Sequence, residues 1–157
     1  MIARSPARMT WILFAAALAC LAAGMMNAIQ APTNASLVGS VGSPLNAALV
    51  SFAVGTVVLL VLALAMRVKP DLAAMRGLPW WAWMGGVYGA FFVTVAAFAT
   101  PRLGVAFVIT LMIAGQLIMS ITLDHIGAFG VAERPVSLPR LLGVALVFAG
   151  VILVRRS

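Results

Sequence analysis

The sequence contains very few side chains that could act as an acid, a base or a nucleophile. Its 157 residues include three Asp or Glu, one His and one Cys, and only 8% are charged. Enzymes need a nucleophile with a base, a pair of carboxylates or a metal cluster, and no HExxH, CxxC or phosphate-binding glycine pattern occurs here. We therefore expect no enzyme, no cofactor and no metal site. With Cys20 as the lone thiol, no intramolecular disulfide can form.

Apolar side chains dominate the composition. Hydrophobic residues make up 64% of the chain, and the mean hydropathy is +1.17. In soluble domains about a quarter of the residues are charged. The composition therefore predicts an integral membrane protein that has lipid as its surroundings.

Positive charge is in excess, at +7. In a soluble protein this would suggest nucleic acid as a partner, but the ten Lys and Arg lie between apolar runs, where they orient the spans of a membrane protein. Nucleic acid is therefore not expected. Basic loops stay in the cytoplasm, which favours a cytoplasmic amino terminus and a periplasmic carboxyl terminus. Seven basic residues then lie inside and three outside: Arg4, Arg8, Arg67, Lys69, Arg76, Arg134 and Arg140 against Arg102, Arg155 and Arg156.

Five apolar runs are long enough to cross a bilayer, which takes about 20 helical residues. The predicted fold is all-α, an integral membrane bundle of five transmembrane helices in one transmembrane domain, residues 1–157. The first run exceeds the apolar core of a signal peptide, about 7 to 15 residues, which favours a retained span over a cleaved leader. Pro32 either ends the first helix or kinks it, so residues 33–43 are a loop or a helix extension. The spans cover about 10–31, 44–66, 80–99, 103–123 and 138–154.

An uncharged amide lies in the middle of the fourth run. The side chain of Gln116 could not be satisfied by lipid there. Met112, Gln116, Ser120 and Asp124 recur every four residues, so on a helix they form one stripe that must face protein or a water-filled cavity. Gln116 is either part of a binding site or a hydrogen bond between helices.

Further amides occur in the first two runs. Asn27, Gln30 and Asn34 share one helical face. That face is either a helix end emerging into water or a surface that lines the same cavity as Gln116. In the second run only Asn46 needs an outside partner, because Ser and Thr can bond back to their own helix.

Asp124 and His125 form the only ionisable pair near the end of a span. A carboxylate at a helix C-terminus faces the negative end of the helix dipole, so Arg134 or Arg140 is expected to offset it. One interpretation makes Asp124 a proton or cation site, with His125 titrating near neutral pH. The other makes both residues a solvated interfacial turn, since neighbours on a helix point about 100° apart.

Several segments resemble the short YdcZ-type branch of the drug/metabolite transporter superfamily. They are NAIQAPTNASL, SPLNAALVSFAVGT, GGVYGAFFV, PRLGVAFVITLMIAGQLIMSITLDHIGAFG and RLLGVALVFAGVILV, which together run from about Met9 to Val154. The resemblance implies a bacterial inner-membrane exporter with five helices, half of a ten-helix inverted-repeat transporter. A half needs a second half, which is either an antiparallel copy in a homodimer or an oppositely oriented paralogue. The first helix lacks the membrane-embedded Glu of the small multidrug-resistance relatives, so simple proton antiport does not follow by analogy.

The residues and the resemblance lead to one functional hypothesis and one alternative. The hypothesis is export of a small polar or cationic metabolite or drug by alternating access in a dimer of inverted halves. The expected cavity lining is Asn27, Gln30, Asn46, Gln116 and Ser120. The alternative is a non-transporting membrane scaffold or accessory subunit, whose amides would pair in a closed core.

Overall fold

The computed structural model describes residues 6–156, and the side chains of residues 11–156. Within this part the chain is 86% helical and has no strand, which confirms the all-α prediction. The helices are α1 (Pro6–Val41), α2 (Pro44–Ala65), α3 (Leu72–Arg76), α4 (Gly85–Leu103), α5 (Val105–Ile126) and α6 (Leu138–Arg156), with 3₁₀ turns at Trp80–Trp83 and Ala128–Gly130. Arg4 and Arg8, two of the predicted cytoplasmic cations, lie outside the residues whose side chains are described.

Five helical segments of the described chain are long and apolar enough to cross a membrane, as predicted. They are Trp11–Val41, Pro44–Ala65, Trp80–Leu103, Val105–Ile126 and Leu138–Arg156. Large apolar side chains on these segments are exposed, for example Phe91 and Leu146, each at 73%. Such surfaces are normal where lipid is the solvent.

The chain divides into two compact units, residues 1–98 and 99–157. The first contains α1, α2, α3 and most of α4, and the second contains the end of α4 with α5 and α6. The assignment of the whole chain to a single transmembrane domain stays a prediction.

Helix α1 continues through Pro32 and ends at Val41 rather than near residue 31. Of the two alternatives for residues 33–43, the extension is therefore found. Pro32 removes one backbone donor, which a helix supported by a neighbouring helix can tolerate. The 36 residues of α1 span about 54 Å, more than the hydrocarbon layer of about 30 Å.

The turn between α1 and α2 is closed by its own side chains. Gly42 has a φ of 84°, and Ser43 caps α2 by accepting a hydrogen bond from the Asn46 backbone N–H at 3.1 Å. The side-chain Nδ2 of Asn46 donates to the carbonyl oxygen of Val41 at 2.7 Å. These bonds satisfy groups that the two helix ends would leave open.

Small residues let α1 and α2 pack closely beyond this turn. Ala31 on α1 and Ala47 and Ala48 on α2 are buried. The ring of Phe52 on α2 lies against α4 at Gly89, where a built Cβ would stand 3.0 Å from its Cζ atom. Residues without bulky side chains thus mark the contacts of the first unit, as is usual between membrane helices.

The turn between α4 and α5 lies later than the predicted spans imply. Helix α4 continues through Pro101 to Leu103, and Gly104 alone separates it from α5. Gly104 has φ 80° and ψ 151°, a backbone conformation that residues with a Cβ essentially never adopt. One glycine therefore ends the helix where Pro101 does not.

In the second unit, α5 and α6 pack against each other. Gly127 ends α5 in a left-handed conformation, with φ 59°, and its N–H bonds to the carbonyl oxygen of Leu123. This is the usual C-terminal cap of a helix. Residues 127–137 then form the loop that leads to α6.

Candidate functional site

Gln30 on α1 faces two open depressions in the surface of the first unit. One has a volume of about 460 Å³ and the other of about 210 Å³. Gln30 lines both. The larger is also lined by Ala23, Met26 and Asn27, and the smaller by Ser51, Phe52, Gly55, Thr56 and Leu59.

The side chain of Gln30 reaches from α1 to α2. Its Nε2 donates to the Ser51 hydroxyl oxygen at 3.5 Å, the long end of the hydrogen-bond range. A primary amide has two donor hydrogens and an acceptor oxygen, so this contact uses little of its capacity. Gln30 is exposed and Asn27 is half-buried, which leaves both amides open to a ligand.

This contact lies within two helical segments that are long and apolar enough to cross a membrane. Helix α2 has 22 residues, about 33 Å, and therefore just spans the hydrocarbon layer. Ser51 is seven positions after Pro44, the first residue of α2, and so lies about 10 Å along the helix from that end. Exposed amides inside a span are costly unless they face protein or water.

Asn34 extends the polar face of α1 that begins at Asn27. Its side chain is only 3% exposed, and its Nδ2 has no hydrogen-bond partner within the described residues. A buried donor without a partner costs free energy, so an unpaired amide of this kind marks a place where a ligand, water or another chain can supply the acceptor. The continuation of α1 past Pro32 is what keeps Asn34 on the same face as Asn27 and Gln30.

Asn46 lines neither depression, because its amide closes the turn with Val41. Its predicted part in a cavity stays a prediction. Ser51 is the site residue that sequence reasoning missed, since its hydroxyl was expected to bond to its own helix. Thr56 does behave that way and donates to the carbonyl oxygen of Phe52 at 2.8 Å.

In the second unit, Gln116 and Ser120 lie on exposed parts of α5. The Ser120 hydroxyl donates to the carbonyl oxygen of Leu117 at 3.0 Å, so its own helix satisfies it. The Gln116 side chain makes no hydrogen bond within the described residues. Its role in a cavity stays a prediction.

Asp124 and His125 hold the loop that follows α5. The carboxylate of Asp124 lies 3.3 Å from Arg140 Nη1, so Arg140 is the arginine that offsets it. Arg140 Nη1 also donates to the carbonyl oxygen of Arg134 at 3.2 Å, and the Arg134 N–H donates to the carbonyl oxygen of Asp124 at 2.7 Å. His125 Nδ1 accepts from the Val136 N–H at 3.4 Å. The four contacts fold residues 127–137 back onto the end of α5.

The exposure of this ion pair limits what it contributes. The side chains of Arg140 and Asp124 are 28% and 40% exposed, and such pairs stabilise a protein by about 1 kcal/mol or less. Their part in coupling to protons or ions stays a prediction. Within residues 6–156, no three His, Cys, Asp or Glu side chains form a group that could hold a metal ion.

The helices and the placement of the amides define a polytopic α-helical membrane protein with polar side chains inside its spans. A family model described as "Putative inner membrane exporter, YdcZ" matches residues 15–153. This match covers most of the chain, so the chain belongs to the YdcZ family of the drug/metabolite transporter type, as its resemblance implied. The family description is that of an exporter in the inner membrane rather than of an enzyme. No match was found among curated proteins or among solved structures.

Proposed function

We propose that the protein exports a small polar or cationic solute across the inner membrane, and that the polar face around Gln30 forms part of the solute's path. The observation that carries the proposal is the position of the Gln30 amide. It lies inside a membrane span, lines two open depressions and makes a single long hydrogen bond. Groups of this kind replace the water shell of a solute as it passes.

The chemistry of the two depressions suits a polar solute that binds weakly. Amide and hydroxyl groups of Asn27, Gln30 and Ser51 offer both donors and acceptors, and amide oxygens can also coordinate a cation. No acidic or basic side chain is among the described lining residues. A path without fixed charge does not hold an ion tightly, which favours release over storage.

The proposed transporter needs a second set of five helices beside this chain. With five spans the two ends of one half lie on opposite sides, and we propose that in this half the amino terminus faces the cytoplasm and the carboxyl terminus the periplasm. Alternating access in transporters built from inverted repeats needs two halves of opposite orientation around the solute. The second half is a second copy in an antiparallel homodimer or an oppositely oriented paralogue. No chemical step on the solute is part of the mechanism.

The competing function is a membrane scaffold or accessory subunit that transports nothing. It is favoured by the observation that two of the candidate amides already join α1 to its neighbour: Gln30 bonds to Ser51, and Asn46 bonds to Val41. In a scaffold these bonds would be the whole role of the amides. The two functions differ in whether water reaches Gln30.

Accessibility to a polar thiol reagent separates the two functions without knowledge of the solute. In a Cys20→Ser background, Asn27→Cys and Gln30→Cys are treated in intact membranes with a membrane-impermeant, cationic methanethiosulfonate. Only a thiol in contact with water ionises and reacts. For an exporter we expect both positions to react, whereas Leu60→Cys, at an exposed apolar position of α2, stays unmodified as the matched control.

The result that contradicts export is equally specific. If Gln30→Cys stays as unreactive as Leu60→Cys from both sides of the membrane, the amide lies in a closed contact and the scaffold is favoured.

A reporter fused after Ser157 tests whether the second half is another copy of this chain or a separate protein. Activity only in the periplasm indicates one orientation and a separate partner, and activity on both sides indicates an antiparallel homodimer.

A further inference from the structure

Arg67, which follows the end of α2, has an unusual backbone conformation. Its φ is 54°, in the left-handed region. Its N–H bonds to the carbonyl oxygen of Leu64 at 3.1 Å, and the N–H of Val68 bonds to that of Ala63 at 2.9 Å. This pair of bonds is the Schellman cap, in which the left-handed residue is usually glycine. An arginine with this conformation suggests that its side chain has a function that glycine could not supply.

The guanidinium of Arg67 is exposed and is not neutralised by a carboxylate. The only acid in the following segment is Asp71, and its Oδ1 accepts hydrogen bonds from the Ala73 and Ala74 N–H groups, each at 3.0 Å. Asp71 is therefore engaged as the cap of α3. No ion pair joins it to Arg67 within the described residues.

Two further cations share this segment. Lys69 and Arg76 are exposed, and neither forms an ion pair with a described residue. We define the α2–α4 loop as residues 66–84. It therefore has three unneutralised cations between two helices that are long enough to cross the membrane. Fixed positive charge at this position attracts phosphate groups.

Indole side chains place the same loop at the level of the lipid headgroups. Trp80, Trp81 and Trp83 lie in the 3₁₀ turn before α4 and are 76%, 41% and 55% exposed. Exposed indoles prefer the boundary between headgroups and acyl chains, because one part of the ring is apolar and its N–H is polar. A free phosphate ion has no apolar part that could contact these indole rings. A phospholipid presents both a phosphate and an acyl chain.

We propose that the α2–α4 loop is a binding site for the headgroup of an anionic phospholipid. Arg67, Lys69 and Arg76 contact the phosphate oxygens, and the three indoles contact the glycerol and upper acyl chain. Arginine suits this ligand because its planar group can donate two parallel hydrogen bonds to one phosphate. The site is separate from the polar face around Gln30 and does not depend on export.

Tryptophan quenching by brominated lipids tests the proposal on the full chain. Trp11→Phe leaves only the three tryptophans of the loop as reporters. The protein is placed in phosphatidylcholine nanodiscs that contain equal fractions of either brominated phosphatidylglycerol or brominated phosphatidylcholine. We expect stronger quenching by phosphatidylglycerol, a preference that falls as the salt concentration rises. Arg67→Gln should lower the relative binding constant about fivefold.

Matched variants show whether charge at this loop is responsible. Arg155→Gln combined with Arg156→Gln removes two cations at the other end of the chain and should leave the preference unchanged. Arg67→Gly keeps a residue suited to the left-handed conformation, and should lose the preference as Arg67→Gln does while the protein stays folded. Arg67→Lys keeps the charge and should lose less than either.

Three results would overturn the proposal. The first is equal quenching by the two brominated lipids, which means that no headgroup is selected. The second is the same loss in the variant of Arg155 and Arg156 as in Arg67→Gly, which means that only the net charge matters. The third is displacement of phosphatidylglycerol by inorganic phosphate at constant ionic strength, which assigns the cations to a soluble anion.

Discussion

The side-chain amide of Gln30 on α1 and the hydroxyl of Ser51 on α2 lie 3.5 Å apart, and the glutamine lines two open depressions. At that distance the hydrogen bond is weak, and it leaves the amide oxygen and a second N–H hydrogen available. The same residue thus joins two helices and faces the surface. Which of these roles matters more can be measured.

Gln30→Ala should remove export while changing stability little. A neutral hydrogen bond contributes about 0.5 to 1.5 kcal/mol net, and a bond of 3.5 Å belongs at the low end. Ser51→Ala removes the same bond and one hydroxyl of the lining but keeps the glutamine, so it separates the bond from the amide. We expect both variants to melt close to the wild type in detergent, and Gln30→Ala to lose much more efflux of the cationic probe ethidium than Ser51→Ala. Equal loss of efflux in both would assign the effect to the bond itself.

Gln116→Ala tests the second candidate amide. We expect this substitution to abolish ethidium efflux and to leave the protein folded, because the side chain makes no hydrogen bond within the described residues that folding would lose. Efflux is measured from cells and the melting temperature in detergent. Thr122→Ala, further along α5, is the control, since its hydroxyl already bonds to the Ile118 carbonyl oxygen at 2.9 Å. A lower melting temperature with retained efflux would make Gln116 a helix contact.

Sequence reasoning located the helices because a bilayer requires long apolar runs, and no other interpretation of 64% hydrophobic residues fits a chain with so few charges. It located the boundaries less well. The first span was placed at about 10–31 and the third at about 80–99, yet α1 continues through Pro32 and α4 through Pro101. A proline removes one hydrogen bond, and whether a helix survives that loss depends on packing that is not visible in a sequence.

The candidate site was predictable only in part, for a related reason. Asn27 and Gln30 were recognised because amides are conspicuous in an apolar span. Ser51 was not, because a hydroxyl can be satisfied by its own helix, and its partner depends on the alignment of α1 with α2. Asn46 was conspicuous for the same reason as the other amides, but it closes a turn. Spacing alone does not distinguish these cases.

The ion pair between Asp124 and Arg140 should matter more for the loop than for overall stability. Both side chains are partly exposed, so Arg140→Gln should cost about 1 kcal/mol or less. The same change removes a bond to the Arg134 carbonyl oxygen. We therefore expect faster amide hydrogen exchange in residues 127–137, measured by mass spectrometry in nanodiscs, with a nearly unchanged melting temperature. Arg156→Gln should leave that exchange rate unchanged. Unchanged exchange in Arg140→Gln would mean that other contacts hold the loop.

Gly104→Ala should be strongly destabilising, because φ 80° with ψ 151° is a conformation that alanine adopts only under strain. The expected cost is about 1 to 3 kcal/mol, seen as a lower melting temperature. Gly115 is the matched control. It lies within α5, and a Cβ built on it meets nothing within 4 Å, so Gly115→Ala should melt at or above the wild-type temperature. If both variants melt alike, the connection between α4 and α5 is not strained by a side chain.

Arg67→Gly should stabilise the protein even though it removes a charge. A non-glycine residue in the left-handed region costs about 1 to 2 kcal/mol, and glycine relieves that cost at the end of α2. The lost cation also lies near the negative end of the helix dipole, and losing that favourable interaction lowers the free energy of unfolding by about 0.3 to 1 kcal/mol. The net expectation is a melting temperature slightly above that of the wild type in a zwitterionic detergent. Arg67→Ala keeps the strain and loses the charge, so it should melt below the wild type. An order in which Arg67→Gly melts below Arg67→Ala would mean that the backbone at this cap is not strained.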